Sequence, residues 1–305
     1  MTIGAVLPLS VRGSYDVDDL GRTEILFKTL DAFCEPGMFS KFLIVTPPDE
    51  VQIVSEKVQK WSQFNPVVMS EEDLVPELAK HSQMRGWRKQ QIVKIAAHEQ
   101  FTDDFYITFD ADVICLKPLS IDKLIDQGKA LLQYEPRAFH PKWWKSSARL
   151  LRMSADVGDT SKGMHVTPAI LSTTLAKQLC EELTRVWKKD WVKAVCSLHN
   201  PKDPRNWRIS RFLMLKWTEY SLYYLCAMKK QNLDQFHITA GTQTHPQLLL
   251  IHDSHPYEQW DTAKSFSQEC PGMFCVVGSK SRLEPEEVWQ RISPFVPAQP
   301  IARNK

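Results

Sequence analysis

Over the first half of the chain, short apolar runs alternate with longer stretches in which apolar residues recur at helical spacing. This is the pattern of βα units that build a parallel sheet. Residues 5–9 read as the first strand. Asp19–Phe33 carries Leu20, Ile25, Leu26, Leu30 and Phe33 at helical intervals, and 41–46 follows as an apolar run closed by Pro47 and Pro48. Asp49 stands where it would cap a helix running through Trp61, with Val51, Val54 and Val58 on one face, and 66–69 supplies a third short strand. The segment 90–98, with Ile92, Val93, Ile95 and Ala96, reads as a helix leading into a strand at 105–109.

The second half is less regular. Strands are expected at 130–134, 165–171, 247–251 and 274–277, and helices at 143–153, 173–189, 217–230 and 285–292, the last with Pro285 in its first turn. The polar stretch 203–208 reads as a connector. One enlarged domain is expected over 1–294, with a loosely held tail at 295–305.

Composition adds exclusions. Hydrophobic residues make up 43% and charged residues 24%, an ordinary globular balance, and the net charge of +2 provides no basic field to recruit nucleic acid. Seven scattered cysteines without a CxxC pair fit reduced thiols in a cytoplasmic protein. No stretch approaches the roughly 20 apolar residues of a membrane span, so contact with a membrane would be peripheral.

The segment 105–119, FYITFDADVICLKPL, places Asp110 and Asp112 directly after an apolar strand. Carboxylates two apart at a strand end can approach one cation, and Ala111 between them leaves room for a ligand. Hard oxygen ligands favour Mg²⁺ or Mn²⁺, ions that keep positions open for substrate phosphates. Arg85 and Arg88, with Lys89 and Gln90 as weaker candidates, cluster at the start of the preceding helix, where guanidinium groups and free amides suit a phosphate. Leu9, Ser10 and Arg12, at the end of the first strand, are nucleotide contacts by position.

The apolar strand, Asp110-Ala111-Asp112 and the following Leu116, Pro118 and Leu119 resemble the DxD-containing GT-A glycosyltransferases, in particular a bacterial and viral branch. The resemblance spans about 5–292. It implies a Rossmann-like α/β fold, a mixed, mostly parallel sheet flanked by helices, with a nucleotide-binding half at 1–125 and an acceptor or catalytic half at 126–294. It also implies a nucleotide-sugar donor, a UDP-sugar by analogy, and a glycan, lipid or small-molecule acceptor. By the same resemblance His252, after the run 248–251, completes the metal site with Asp110 and Asp112, with His255 competing for the role. Glu219 then corresponds to the catalytic base of inverting members, although a glutamate at a helix start is also favoured by the macrodipole. Trp143 and Trp144, between Lys142 and Lys145, would form a sugar-stacking or membrane-touching loop. His165 and Thr167 would face the donor sugar.

Three rivals use the same residues differently. A phosphatase phosphorylated on the first aspartate is disfavoured by a motif lying past residue 100 with Ile114 two places beyond Asp112. A nucleotidyltransferase lacks its glycine-rich basic loop in VLPLSVRGSYD. A non-catalytic glycan-binding relative would have no need of both aspartates.

Overall fold

A computed structural model describes residues 1–298; the end of the expected tail, 299–305, lies outside the described residues. At its centre β1 (Ile3–Pro8), β2 (Phe39–Thr46), β3 (Pro66–Ser70) and β4 (Phe105–Thr108) run parallel in the spatial order β3-β2-β1-β4. Ala169–Ser172 closes the β4 edge antiparallel. The result is the mixed, mostly parallel sheet expected. β1 and β4 are buried along their whole length, and β2 from Phe42 to Thr46, because both faces of the sheet are covered there. Ala5, Leu7, Ile44 and Ile107 join the core built on Leu26, Phe27 and Leu30 of α1 (Asp19–Phe33). Val6, Leu43, Val45 and Tyr106 join a second core with the helices Gly86–Ala96, Thr173–Trp187 and Glu219–Lys230.

From β1 the chain winds outward through β2 and β3, then crosses back to β4 on the other side. Ligands of open α/β sheets bind beyond the carboxyl ends of the strands at such a reversal. The Asp110-Ala111-Asp112 turn lies at that point. It leads into β5 (Val113–Cys115), which belongs to a smaller sheet with Leu248–Ile251 and Gly272–Val276.

Several sequence expectations are corrected. Asp49 caps nothing: it sits in a short 3₁₀ turn, Pro48–Glu50, and the α-helix that follows, Val51–Val58, ends before Trp61. The strand expected at 165–171 begins only at Ala169, because Pro168 has no N–H to give to the ladder. The helix expected from 217 starts at Glu219, where Thr218 and Ser221 form a capping box. A further helix, Trp191–Leu198, is capped by Asp190. At the C-terminus Phe295 stacks on Phe266 at 5.6 Å, so the chain stays docked past the point where a loose tail was expected. All seven cysteines are buried free thiols. Among the described residues no helix is long and apolar enough to cross a membrane.

The helices Thr173–Trp187 and Glu219–Lys230 are joined by a buried carboxylate. Glu182 accepts bonds of 2.9 and 2.7 Å from Arg185 and lies 2.7 Å from Lys229 Nζ on the Glu219–Lys230 helix. The Arg185 bonds, reinforced by Lys229, hold its carboxyl down at about 2 against an ordinary 4.5. A depressed folded-state value contributes stability above the unfolded pKa that is lost as pH falls. Glu182→Gln is therefore expected to lower stability at neutral pH by about 1–3 kcal/mol. The gap from wild type should close between pH 4.5 and about 2 in denaturant titrations, and a gap independent of pH would contradict this account.

Candidate functional site

The two aspartates occupy different surroundings because the turn that carries them joins two sheets. Val113 N donates to Asp110 O at 3.2 Å and closes the turn, while Val277 N donates to Asp112 O at 3.1 Å and ties it to the smaller sheet. Asp110 meets Lys94, from the Gly86–Ala96 helix. Lys94 Nζ lies 2.7 Å from Asp110 Oδ1, 3.5 Å from Glu219 Oε1 and 2.7 Å from Thr167 Oγ1. Tyr220 OH bridges Thr167 and Thr108 at 2.6 and 2.7 Å, fixing the surroundings of that ammonium. The Lys94 and Glu219 side chains are 4% and 6% exposed, whereas Asp110 is 38% exposed, so Asp110 is the most open member of the trio.

Charge accounts for the protonation of this cluster. Burial alone would lower the Lys94 ammonium, but Asp110, Tyr220 and Glu219 outweigh it and raise Lys94 well above the ordinary lysine range. Burial pushes the Glu219 carboxyl up, against the pull of Lys94. Burial, then the neighbouring Asp110, pushes Asp112 to about 7, with Arg22 opposing. Asp19, at the start of α1, rises to about 6 through burial, Arg22 again opposing and Asp110 adding to the rise. Its Oδ1 is buried without a hydrogen-bond partner. A Cβ at position 13 would lie 1.6 Å from its Oδ2, so only glycine lets the loop pass over that carboxylate.

Crowded acids with raised pKa values and an orphaned carboxylate oxygen form an environment that a hard cation would relieve. Among the described residues, no three His, Cys, Asp or Glu side chains form a closed metal cage. A cation bridging to substrate phosphates needs only one or two protein carboxylates, so the donor set fits Mg²⁺ or Mn²⁺ shared with a diphosphate.

His252 is exposed at the end of Leu248–Ile251, two strands from β5 in the smaller sheet, and no three His, Cys, Asp or Glu side chains among the described residues are grouped to hold a metal. His255 is exposed as well. His252 instead neighbours His165, whose buried ring nitrogens have no partner and whose pKa burial holds at about 3. Lys89 is committed to an ion pair with Glu71. Leu9 is a core residue, Ser10 Oγ donates to Glu50 at 3.2 Å, and Arg12 faces solvent beside Asp16. Trp144 is buried in a helix, Pro141–Leu150, against Tyr224, which rules out the exposed loop expected there. Trp143 and Gln90, with Asp110, Lys94, Glu219 and Thr167, line a cavity of about 80 Å³. Arg85 is exposed beside a second, larger cavity.

Arg88 is not a free phosphate grip. Its guanidinium donates to the Leu215 and Trp217 carbonyls and to Gln91 Oε1, and it stacks 4.4 Å over Trp217. Burial brings it down to about 10. Arg88→Met is expected to cost about 2–4 kcal/mol of stability through lost charged hydrogen bonds and stacking. Nucleotide affinity of the folded variant, read by calorimetry, should be unchanged; normal stability with lost affinity would overturn this assignment.

Comparison with known sequences now places the chain. The model of a family of unknown function, DUF6492, matches residues 1–300. The chain belongs to that family. No curated protein matches this DUF6492 chain in sequence. Among solved structures it is similar to mouse xyloside xylosyltransferase 1 in its apo form, at 9% identity and a TM-score of 0.53, over 93% of this chain and 100% of that one. A galactosyltransferase, LgtC, solved with donor and acceptor sugar analogues, aligns over 99% of this chain and 98% of its own at 10% identity and a TM-score of 0.49. The DUF6492 chain thus has the GT-A glycosyltransferase fold.

Lys94, Asp19 and Arg22 escaped the sequence reading. Lys94 sits in a run, Gln91–Ala96, that is buried throughout, and a lone cation among Ile92, Val93, Ile95 and Ala96 is the signal that could have found it. Arg22 reaches across to the Val277 and Leu283 carbonyls at 3.1 and 2.9 Å, fixing α1 beside the turn.

Proposed function

We propose that this DUF6492 protein is a metal-dependent glycosyltransferase. It moves a sugar from a nucleotide-sugar donor, a UDP-sugar by analogy with its resemblance, to a glycan, lipid or small-molecule acceptor. The observation that carries the reading is the junction of Asp110, Lys94 and Glu219 lining the 80 Å³ cavity, beyond the carboxyl ends of β1 and β4.

Asp110 and Asp112 would hold the cation, which, when bound, offsets the charge on the departing nucleoside diphosphate. Glu219 accepts the proton of the acceptor hydroxyl as the new oxygen–anomeric carbon bond forms and the bond to the diphosphate breaks. Its burial raises its proton affinity, as a base requires, and Lys94 holds it in place. Trp143, flanking the same cavity, offers an apolar face to the sugar and excludes water. On this reading the outcome is inversion.

The test is thermal shift with nucleotide diphosphates and nucleotide-sugars, with and without Mn²⁺. A ligand at about 100 times its Kd stabilises the native state by about 2.7 kcal/mol, so a donor-selective, Mn²⁺-dependent rise in Tm is expected. No metal-dependent shift with any donor would end the proposal. Glu219→Gln should remove turnover while keeping donor affinity; loss of both would exclude a dedicated base.

A further inference from the structure

A cavity of about 840 Å³ opens beside the site, and Trp87 lines both it and the small cavity that holds Asp110 and Glu219. Arg85, Lys142, Lys145, Arg149 and Lys216 surround it, its apolar surface includes Met84, Phe212 and Leu215, and no carboxylate lines it. Next to it the chain turns its apolar residues outward. Of eleven large apolar side chains exposed among the described residues, four fall within 207–213: Trp207 at 78%, Ile209 at 77%, Phe212 at 67% and Leu213 at 41%. Such a cluster on one short segment is unlike the scattered apolar exposure of an ordinary surface. Arg208, Arg211 and Lys216 are interleaved with it, the segment 204–216 contains no acidic residue, and the nearby Asp203 is taken up by Arg205.

We infer that this face seats on an anionic lipid surface. Trp207, Ile209 and Phe212 enter the interface, while Lys142, Lys145 and Lys216 meet lipid phosphates at the mouth of the 840 Å³ cavity. Interfacial segments combine these features: exposed aromatic and aliphatic tips for the acyl boundary and cations for the headgroups. A soluble nucleotide or sugar gives no reason to hold Trp207 and Ile209 out in water. A lipid bilayer does, and the match of charge sign selects an anionic one. The inference rests on the transferase reading in one respect: through Trp87 the face would deliver a membrane-borne acceptor to Glu219.

The full chain should co-sediment with mixed phosphatidylcholine–phosphatidylglycerol vesicles and far less with pure phosphatidylcholine, and added salt should weaken the association. The triple variant Trp207→Ser, Ile209→Ser, Phe212→Ser and the double variant Lys142→Glu, Lys145→Glu should each bind mixed vesicles at least about tenfold more weakly. Both alter exposed side chains, so Tm and Mn²⁺-dependent nucleotide binding should match wild type. Retained nucleotide binding with lost vesicle binding separates this inference from the transferase reading, which fails only if nucleotide binding is absent from the wild type. Vesicle binding equal for neutral and anionic lipid, or unchanged in both variants, would overturn the inference. Stabilisation by inorganic phosphate without vesicle binding would overturn it in favour of a soluble anionic ligand.

Discussion

Asp112→Asn is expected to reduce kcat/KM for sugar transfer by about 10³ and to abolish the Mn²⁺-dependent rise in Tm. Stabilising the charge of a departing diphosphate contributes several kcal/mol, and each 1.36 kcal/mol is tenfold in rate, so a weakened cation site removes about three decades. Stability should move the other way. Burial, then the acidic neighbours Asp110 and Asp19, raise Asp112, with Arg22 as the opposing cation. Neutralising one of three crowded carboxylates relieves repulsion, so the metal-free variant should melt no lower than wild type. Loss of function with retained or improved stability is the mark of a residue kept for its chemistry. Asp110→Asn should lose activity similarly but gain no stability, because it also deprives Lys94 of its 2.7 Å partner. Asp112→Asn with full turnover and an intact metal-dependent shift would refute the cation site.

How much of this was legible depended on how local the cause was. Asp19–Phe33 and Pro285–Ile292 emerged at their observed bounds because periodicity and termini agree there: Asp18 caps the first and Pro285 opens the second. Asp110 and Asp112 were legible because an apolar strand delivers them directly to the sheet reversal. Asp49 misled because capping depends on where the helix begins. The adjacent Glu50 instead turns back to accept from Val11 N at 2.8 Å and Ser10 Oγ at 3.2 Å, drawing the chain into a 3₁₀ turn. What Lys94 and Asp19 do was illegible, even where the burial of Lys94 could be suspected, because Lys94 meets Asp110 and Glu219 and Asp19 meets Asp110, all far along the chain. A lysine in a helix and an aspartate at a helix start each have an ordinary local explanation. Only the fold places Lys94 between residues 110 and 219. His252 is exposed where its strand ends near the crevice, and its relation to the aspartates is set by the fold rather than by its local sequence.

Lys94→Met should be the most destabilising single change in the site, by about 3–5 kcal/mol. Removing one partner of a buried ion pair leaves the other charge without compensation. Here Glu219, 6% exposed, loses its counter-charge, and Asp110 loses its ion-pair partner. Methionine fills a similar volume, so the loss is chiefly electrostatic, together with the 2.7 Å bond to Thr167. Adding Glu219→Gln should therefore restore part of the stability. The double variant should be more stable than the sum of the single changes predicts, with a coupling of about 1–3 kcal/mol in denaturant titrations, as for residues in direct contact. Turnover should stay absent in the double variant, since glutamine cannot take the acceptor proton. That separates the two roles of the pair: stability returns when charge balance returns, and catalysis does not. Strictly additive destabilisation would mean that Lys94 and Glu219 are not energetically coupled, and Glu219 would then need another source for its orientation.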